Sequence, residues 1–292
     1  IKSNMELIKK LRDTTGSGIV DCKKALLENN DDIEASIKWL REKGILKAQK
    51  KQDRETNEGV ISLFNHDSSH SSFSLCKIKC ETDFVAKNDD FLNFAHSLTK
   101  SIFENNDIEK SGTSENLSKF FIGDKDLNTA LTDLISKIGE NIQIISYKKY
   151  NSDNSIFVSY MHNKYNSSCS KIVSVVEIST NDVSKTVGLI DQLKVIAMQV
   201  SAMKPMSLDE KSLDKKILDD ERDIILKQIE NTPEDKKEMI IKGKLSKFIK
   251  ENTLLGQSLI TDPKNTVSNY LNEISKSSNL DLNIASMDLY TI

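Results

Sequence analysis

Apolar positions near the start of the chain recur with helical spacing. Met5, Ile8 and Leu11 share one face, Gly16 and Gly18 interrupt, and Ile19, Cys22 and Leu26 resume the period. Asn30 or Asp31 is placed to cap a third helix carrying Ile33, Ile37 and Leu40, and Gly44 reads as its stop. So few apolar positions make a marginal three-helix unit over 1–44, which predicts docking on another part of the molecule. Residues 43–58 are rich in Lys, Gln, Asp and Glu and read as a linker or a solvated helical extension, with 45–58 as the connecting stretch. Its Lys47, Lys50 and Lys51 suit a solvated face better than an RNA contact.

The period then changes. Residues 59–65 and 72–81 read as strands joined by a polar loop at 66–71, followed by a helix with Phe91, Phe94, Ala95 and Leu98 on one side. Residues 105–119 are polar and read as a loop. Leu127, Leu131, Leu134, Ile135 and Ile138 mark a helix ended by Gly139. Three strands follow at 142–150, 155–162 and 171–180, then a helix over 184–203 that Pro205 ends. Lys79-Cys80-Glu81-Thr82-Asp83 and Glu177-Ile178-Ser179-Thr180-Asn181 each close a strand before a helix. This suggests a diverged duplication and a core of two α+β subdomains, 59–150 and 151–204, each an antiparallel sheet covered by helix. Residues 208–249 are highly charged with widely spaced apolar positions and a break at Asn231-Thr232-Pro233, the pattern of a helical hairpin within 205–252. The remainder, 253–292, offers one short helix candidate at 266–274.

Composition narrows the function classes. With 41 basic and 44 acidic residues the net charge is −3, so no global field draws the chain to nucleic acid. No apolar run is long enough to span a membrane, and residues 1–12 are a charged helical pattern rather than a signal-peptide core. The first residue is not Met, which fits a removed transit peptide or a processed start. Cys22, Cys76, Cys80 and Cys169 are widely scattered, as expected of reduced thiols.

Catalytic machinery is not evident. The chain has no phosphate-cradling glycine motif, no H-E-x-x-H and no G-x-S-x-G. His66, His70, Cys76 and Cys80 are zinc-ligand types, but two cysteines four apart on one strand lie about 13 Å apart, beyond the reach of one ion with bonds of about 2.3 Å. Glu81 and Asp83 have no nucleophile beside them. No enzyme activity, metal or cofactor is expected.

Two segments carry a resemblance. Leu11-Arg12-Asp13-Thr14-Thr15-Gly16 through Lys23-Lys24-Ala25-Leu26, and Cys80-Glu81-Thr82-Asp83-Phe84-Val85-Ala86-Lys87-Asn88, resemble the two signatures of the elongation factor Ts family. Ile138-Gly139-Glu140-Asn141 is similar to a third family segment and Ser159-Tyr160-Met161-His162 to a fourth. The family's architecture is α+β: a small three-helix (UBA-like) N-terminal domain, a two-subdomain core of antiparallel sheets with helices, a coiled-coil hairpin and a C-terminal helix. This chain departs from it by ending without the aromatic–Arg strand and Gly-Glu-Gly with which members often close.

The resemblance implies a guanine-nucleotide exchange factor that performs no bond chemistry. Its partner would be the translation GTPase elongation factor Tu, in GDP-bound and nucleotide-free forms. Thr82, Asp83, Phe84 and Val85 would enter the partner's GTPase domain and dislodge its Mg²⁺. Ile138, Gly139, Glu140 and Asn141 would press beside the phosphate loop. Arg12, Ile19 and Val20 would dock the N-terminal helices, and His162 would mark the contact to a second partner domain. Without the resemblance, Phe84 reads as a core aromatic at a helix entry, Asp83 as a helix cap or turn residue, and Ile19 and Val20 equally as core or as outward-facing residues. Apolar hairpin positions are compatible with self-association. The expected setting is a bacterial cytoplasm, or alternatively an organelle matrix after transit-peptide removal.

Overall fold

A computed structural model describes residues 2–66 and 70–292. Ile1 and part of the loop expected at 66–71 lie outside them. The chain begins with helices α1 (Lys2–Thr15), α2 (Ile19–Glu28) and α3 (Ile33–Lys51). Leu11, Cys22, Ala25, Leu26 and Leu40 form their small shared core. The cap of α3 is Asp32, which accepts the Ala35 amide; Asn30 and Asp31, the expected caps, instead hold the two left-handed positions of the turn before it. Gly44 does not stop α3. It is buried mid-helix, where a Cβ would lie 2.7 Å from Ser136 Oγ of a neighbouring helix, so glycine serves close helix approach there.

Next come β1 (Glu58–Phe64), β2 (Ser72–Cys80), the single-turn α4 (Asp83–Ala86) and α5 (Asp89–Glu104). The stretch expected as a plain loop holds β3 (Ser111–Gly112) and a 3₁₀ turn at Ser114–Leu117, with Leu117 buried. The small hairpin β4 (Phe121–Ile122) and β5 (Lys125–Asp126) leads into α6 (Leu127–Ile138). Then follow β6 (Gln143–Asn151), β7 (Ser155–Lys164), β8 (Cys169–Thr180) and a 3₁₀ turn at Val183–Leu189, which occupies the start of the expected long helix. The α-helix proper is α7 (Ile190–Met203). Helices α8 (Lys215–Gln228) and α9 (Glu234–Asn252) form the antiparallel hairpin, closed by Ile225, Ile229 and Ile241. Short strands β9 (Ser258–Leu259) and β10 (Asp262–Thr266) precede α10 (Val267–Ser278), and the chain closes with β11 (Leu282–Thr291).

The two expected sheets are one. The strand order is β11-β8-β1-β2-β6-β3, with β7 on the other side of β8 and every pairing in this sheet antiparallel. The joint is narrow. β1 and β11 share one edge of β8: β11 pairs with Ile172 to Thr180, and β1 with Cys169 and Ser170 only. Each half is covered outside by helices. α5 and α6 seal Val60, Cys76 and Ile78, whereas α7 and α10 seal Val158, Val176 and Ile178. The inner faces of both halves meet over Ile61, Phe73, Leu75, Tyr150, Phe157, Val173 and Val175. The period of two along each strand therefore divides its residues between two cores. The terminal strand β11 was not anticipated from sequence. A bulge between Ile284 and Ser286 shifts its alternation by one residue.

Candidate functional site

The most exposed chemistry of the core lies where β2 ends. Thr82 caps α4, its hydroxyl oxygen accepting the Val85 amide at 3.3 Å, so the cap is Thr82 rather than Asp83. Asn88 caps α5 immediately afterwards, accepting from the Asp90 and Phe91 amides. Between these caps the chain has room for one turn. Val85 and Ala86 point into the core, which leaves Asp83 and Phe84 outward. Phe84 is 82% exposed, not packed as a helix-entry staple. Leaving a phenyl ring in water forgoes about 1.5–3 kcal/mol of burial. Asp83 is exposed beside it, with Lys87 at 3.8 Å.

A second segment supports this turn from beneath. Gly139 ends α6 with φ +85°, a left-handed conformation that glycine adopts without Cβ strain. The reversal carries Glu140 back toward β2. Its carboxylate accepts the Glu81 and Thr82 amides, both at 3.0 Å, and the Thr82 hydroxyl at 2.6 Å. Charge-assisted bonds of this kind are among the stronger ones available. Glu140 therefore faces into the chain and holds the loop. Asn141 is 3% exposed and donates to the backbone carbonyls of Gln52 and Arg54 at 3.4 and 2.8 Å. Val85 is likewise buried and Ile138 half-buried. All four were expected at the partner contact; Val85 and Asn141 are buried and the Glu140 carboxylate is turned onto the Thr82 loop, whereas half-buried Ile138 keeps some surface beside Gly139. Burial pushes the Cys80 thiol up to about 12, reinforced by the negative charge of Glu140.

The N-terminal helices present a further apolar surface. Ile19 and Val20 open α2 and are 47% and 73% exposed, and Arg12 is exposed in the last turn of α1. A groove of about 1320 Å³ separates α1 and α2 from α5 and α6, with Ile8, Arg12 and Ile19 on one wall and Phe94 and Leu134 on the other. His162 sits apart, exposed toward the end of β7, with Nδ1 3.2 Å from the Tyr160 hydroxyl. Among the described residues no group of three or more His, Cys, Asp or Glu side chains is placed to hold a metal ion. Cys76 and Cys80 are buried in the sheet core. No described helix is long and apolar enough to cross a membrane.

The family described as Elongation factor TS matches residues 81–292. The chain belongs to the elongation factor Ts family. The family described as Elongation factor Ts, mitochondrial, N-terminal matches residues 1–51. Similar proteins named Elongation factor Ts include one from Alkalilimnicola ehrlichii, 37% identical over 268 residues, covering 91% of this chain and 85% of the relative. Another, from Chlorobium phaeobacteroides, is 33% identical over 288 residues and covers 98% and 96%. A third, from Aquifex aeolicus, is 35% identical over 276 residues and covers 92% of each. Membership of the elongation factor Ts family supports a role in translation elongation.

Proposed function

We propose that this chain is a guanine-nucleotide exchange factor that binds elongation factor Tu carrying GDP and promotes GDP release so that GTP can load. The observation that carries the proposal is Phe84, an aromatic ring left in solvent on a turn fixed at both caps and held from below by Glu140. Because the backbone of the turn is already held, insertion of the ring freezes only its two side-chain torsions.

In this reading Phe84 wedges between partner side chains, and the exposed Asp83 carboxylate disturbs the groups that hold Mg²⁺. Mg²⁺ neutralises phosphate charge and demands near-octahedral geometry, so losing its geometry weakens GDP binding. Ile138 and Gly139 meet the partner beside its phosphate loop. Thr82, Val85, Glu140 and Asn141 act through the positions they hold. Arg12, Ile19 and Val20 dock on the GTPase domain, and His162 marks the contact to a second partner domain. No step makes or breaks a covalent bond in this protein. The setting is a translating compartment, the bacterial cytoplasm or, alternatively, an organelle matrix.

Linkage sets the energetics. If this chain weakens GDP binding, GDP weakens its binding by the same factor. Each tenfold corresponds to about 1.4 kcal/mol. Several modest patches suit a factor that must leave when GTP arrives.

The test is the release rate of fluorescent GDP from elongation factor Tu, with and without this protein, comparing wild type with Phe84→Ala. The expected result is faster release with wild type and a clear loss in the variant. Folded wild type that leaves release unchanged overturns the proposal.

A further inference from the structure

We infer that α6 is a rigid ruler that fixes the N-terminal helices relative to the Phe84 turn, with Gly44 and Lys125 as its positioning residues. The inference rests on the exchange-factor reading for its consequence, though not for its geometry.

Of the N-terminal helices α3 packs directly on α6, while α1 and the turn after it are tied to α6 and its flank at single points. Gly44 of α3 lies against Ser136 and Thr132, closely enough that a Cβ would meet Ser136 Oγ at 2.7 Å. Gly16, between α1 and α2, packs on the Lys137 side chain, and its φ of +70° suits glycine. Lys125, just ahead of α6, donates to the Thr14 carbonyl at the end of α1 at 3.3 Å. It also bonds Asp133 of α6 at 2.9 Å. Beyond the end of α6, Asn141 holds two carbonyls that follow α3. The expected linker is therefore pinned: Ala48 packs on the main core, and buried Thr56 bonds Gln143 at 2.9 Å.

The same helix governs the other site. Lys137 pairs with Asp90 of α5 at 3.1 Å, and Glu140 beyond the helix end carries the Thr82 loop. A helix of 12 residues is about 18 Å long. α6 packs on the unit that exposes Ile19 and Val20, and Glu140, two residues past its end, holds the turn that exposes Phe84. Both are thus presented at a preset separation. A partner engaging one meets the other at a high effective concentration, with no reorganisation to complete first. Gly44→Leu would push α3 off α6 and loosen the pair while touching neither exposed patch. Lys125→Met would remove the clasp without adding bulk.

Two measurements test this. In the free protein, spin labels at Leu27→Cys and Asp89→Cys, both exposed positions, report the separation of the two units. One narrow distance distribution is expected in the otherwise wild-type chain, broadened or shifted by Gly44→Leu or, should that chain fail to fold, by Lys125→Met. A broad distribution from the start, or a narrow one unmoved by the substitution, overturns the inference. In the second, affinity for nucleotide-free elongation factor Tu is read in a double-mutant cycle. The same substitution should cost about fivefold in the wild-type background and almost nothing with Val20→Asp already present. Equal loss in both backgrounds signals a merely structural effect and overturns the inference. Failure of the wild-type chain to accelerate GDP release removes the exchange reading alone, because the distance measurement still decides the ruler.

Discussion

The Glu140 carboxylate accepts the Thr82 amide at 3.0 Å and the Thr82 hydroxyl at 2.6 Å, tying the end of α6 to the cap of α4. The carboxylate sets the position of a turn whose exposed ring is the proposed wedge.

Glu140→Ala leaves the Glu81 and Thr82 amides without their acceptor. A stability loss of about 1–3 kcal/mol is expected in urea unfolding, together with slower GDP release from the partner. Glu140→Gln keeps an oxygen for both amides and should fall between wild type and Ala. An alanine variant that exchanges at the wild-type rate would show that the loop holds its shape unaided.

Gly139→Ala isolates the backbone contribution. A Cβ there meets open space, so the cost is that of φ +85° alone, about 1–2 kcal/mol. Asn, which tolerates this conformation better, should cost less than Ala. Equal unfolding midpoints for Gly and Ala would contradict the left-handed cap.

The two halves of the sheet are joined by a polar clasp. The Tyr150 hydroxyl donates to Asp288 at 2.6 Å and lies 2.7 Å from the Tyr290 hydroxyl, while Lys148 bonds the same carboxylate at 2.7 Å. Burial raises both tyrosines from the usual value near 10, Tyr290 to about 12 and Tyr150 further. A raised folded pKa stabilises the fold fully below the unfolded value, and this is lost as pH climbs through the folded one. Stability should therefore fall from about pH 10 to pH 12 and above. The fall should be shallower in Tyr290→Phe, read from unfolding midpoints at successive pH values. Identical alkaline slopes in the two proteins would refute the clasp as its source.

The cysteines should be inert in the native state. All four are buried and burial raises each thiol, Cys80 to about 12. The thiolate is the species that attacks a disulfide reagent, so a chromogenic disulfide at neutral pH should titrate almost none in native buffer and all four in denaturant. Rapid labelling of the folded chain would contradict this core.

Most elements were legible because their periods are strong and their ends are marked. α6 shows the apolar spacing of one helix face and then Gly139; β2 shows alternation and then a Thr cap. The signature around Thr82 to Val85 located the candidate site. Its inner architecture was not legible. Glu140 reads as a partner-facing residue, and only the αL turn shows its carboxylate sent back onto the chain; Gly44 reads as a stop because a glycine for close packing looks the same in one dimension. An isolated glycine within a continuing helical pattern was the available signal for the latter. β11 was lost to its bulge.

What the sequence determined by itself is local. Apolar period, caps and breakers act over a few residues, and they specify the helices and most strands; the motif that resembles the family's signature is equally short. Tertiary structure alone decided three things: that two sheet halves join through Cys169 and Ser170, that Phe84 faces water while Val85 faces the core, and that α3 rests on α6. Each depends on which surfaces meet across long stretches of chain. No local pattern encodes that, because the free energy of a contact belongs to both partners at once.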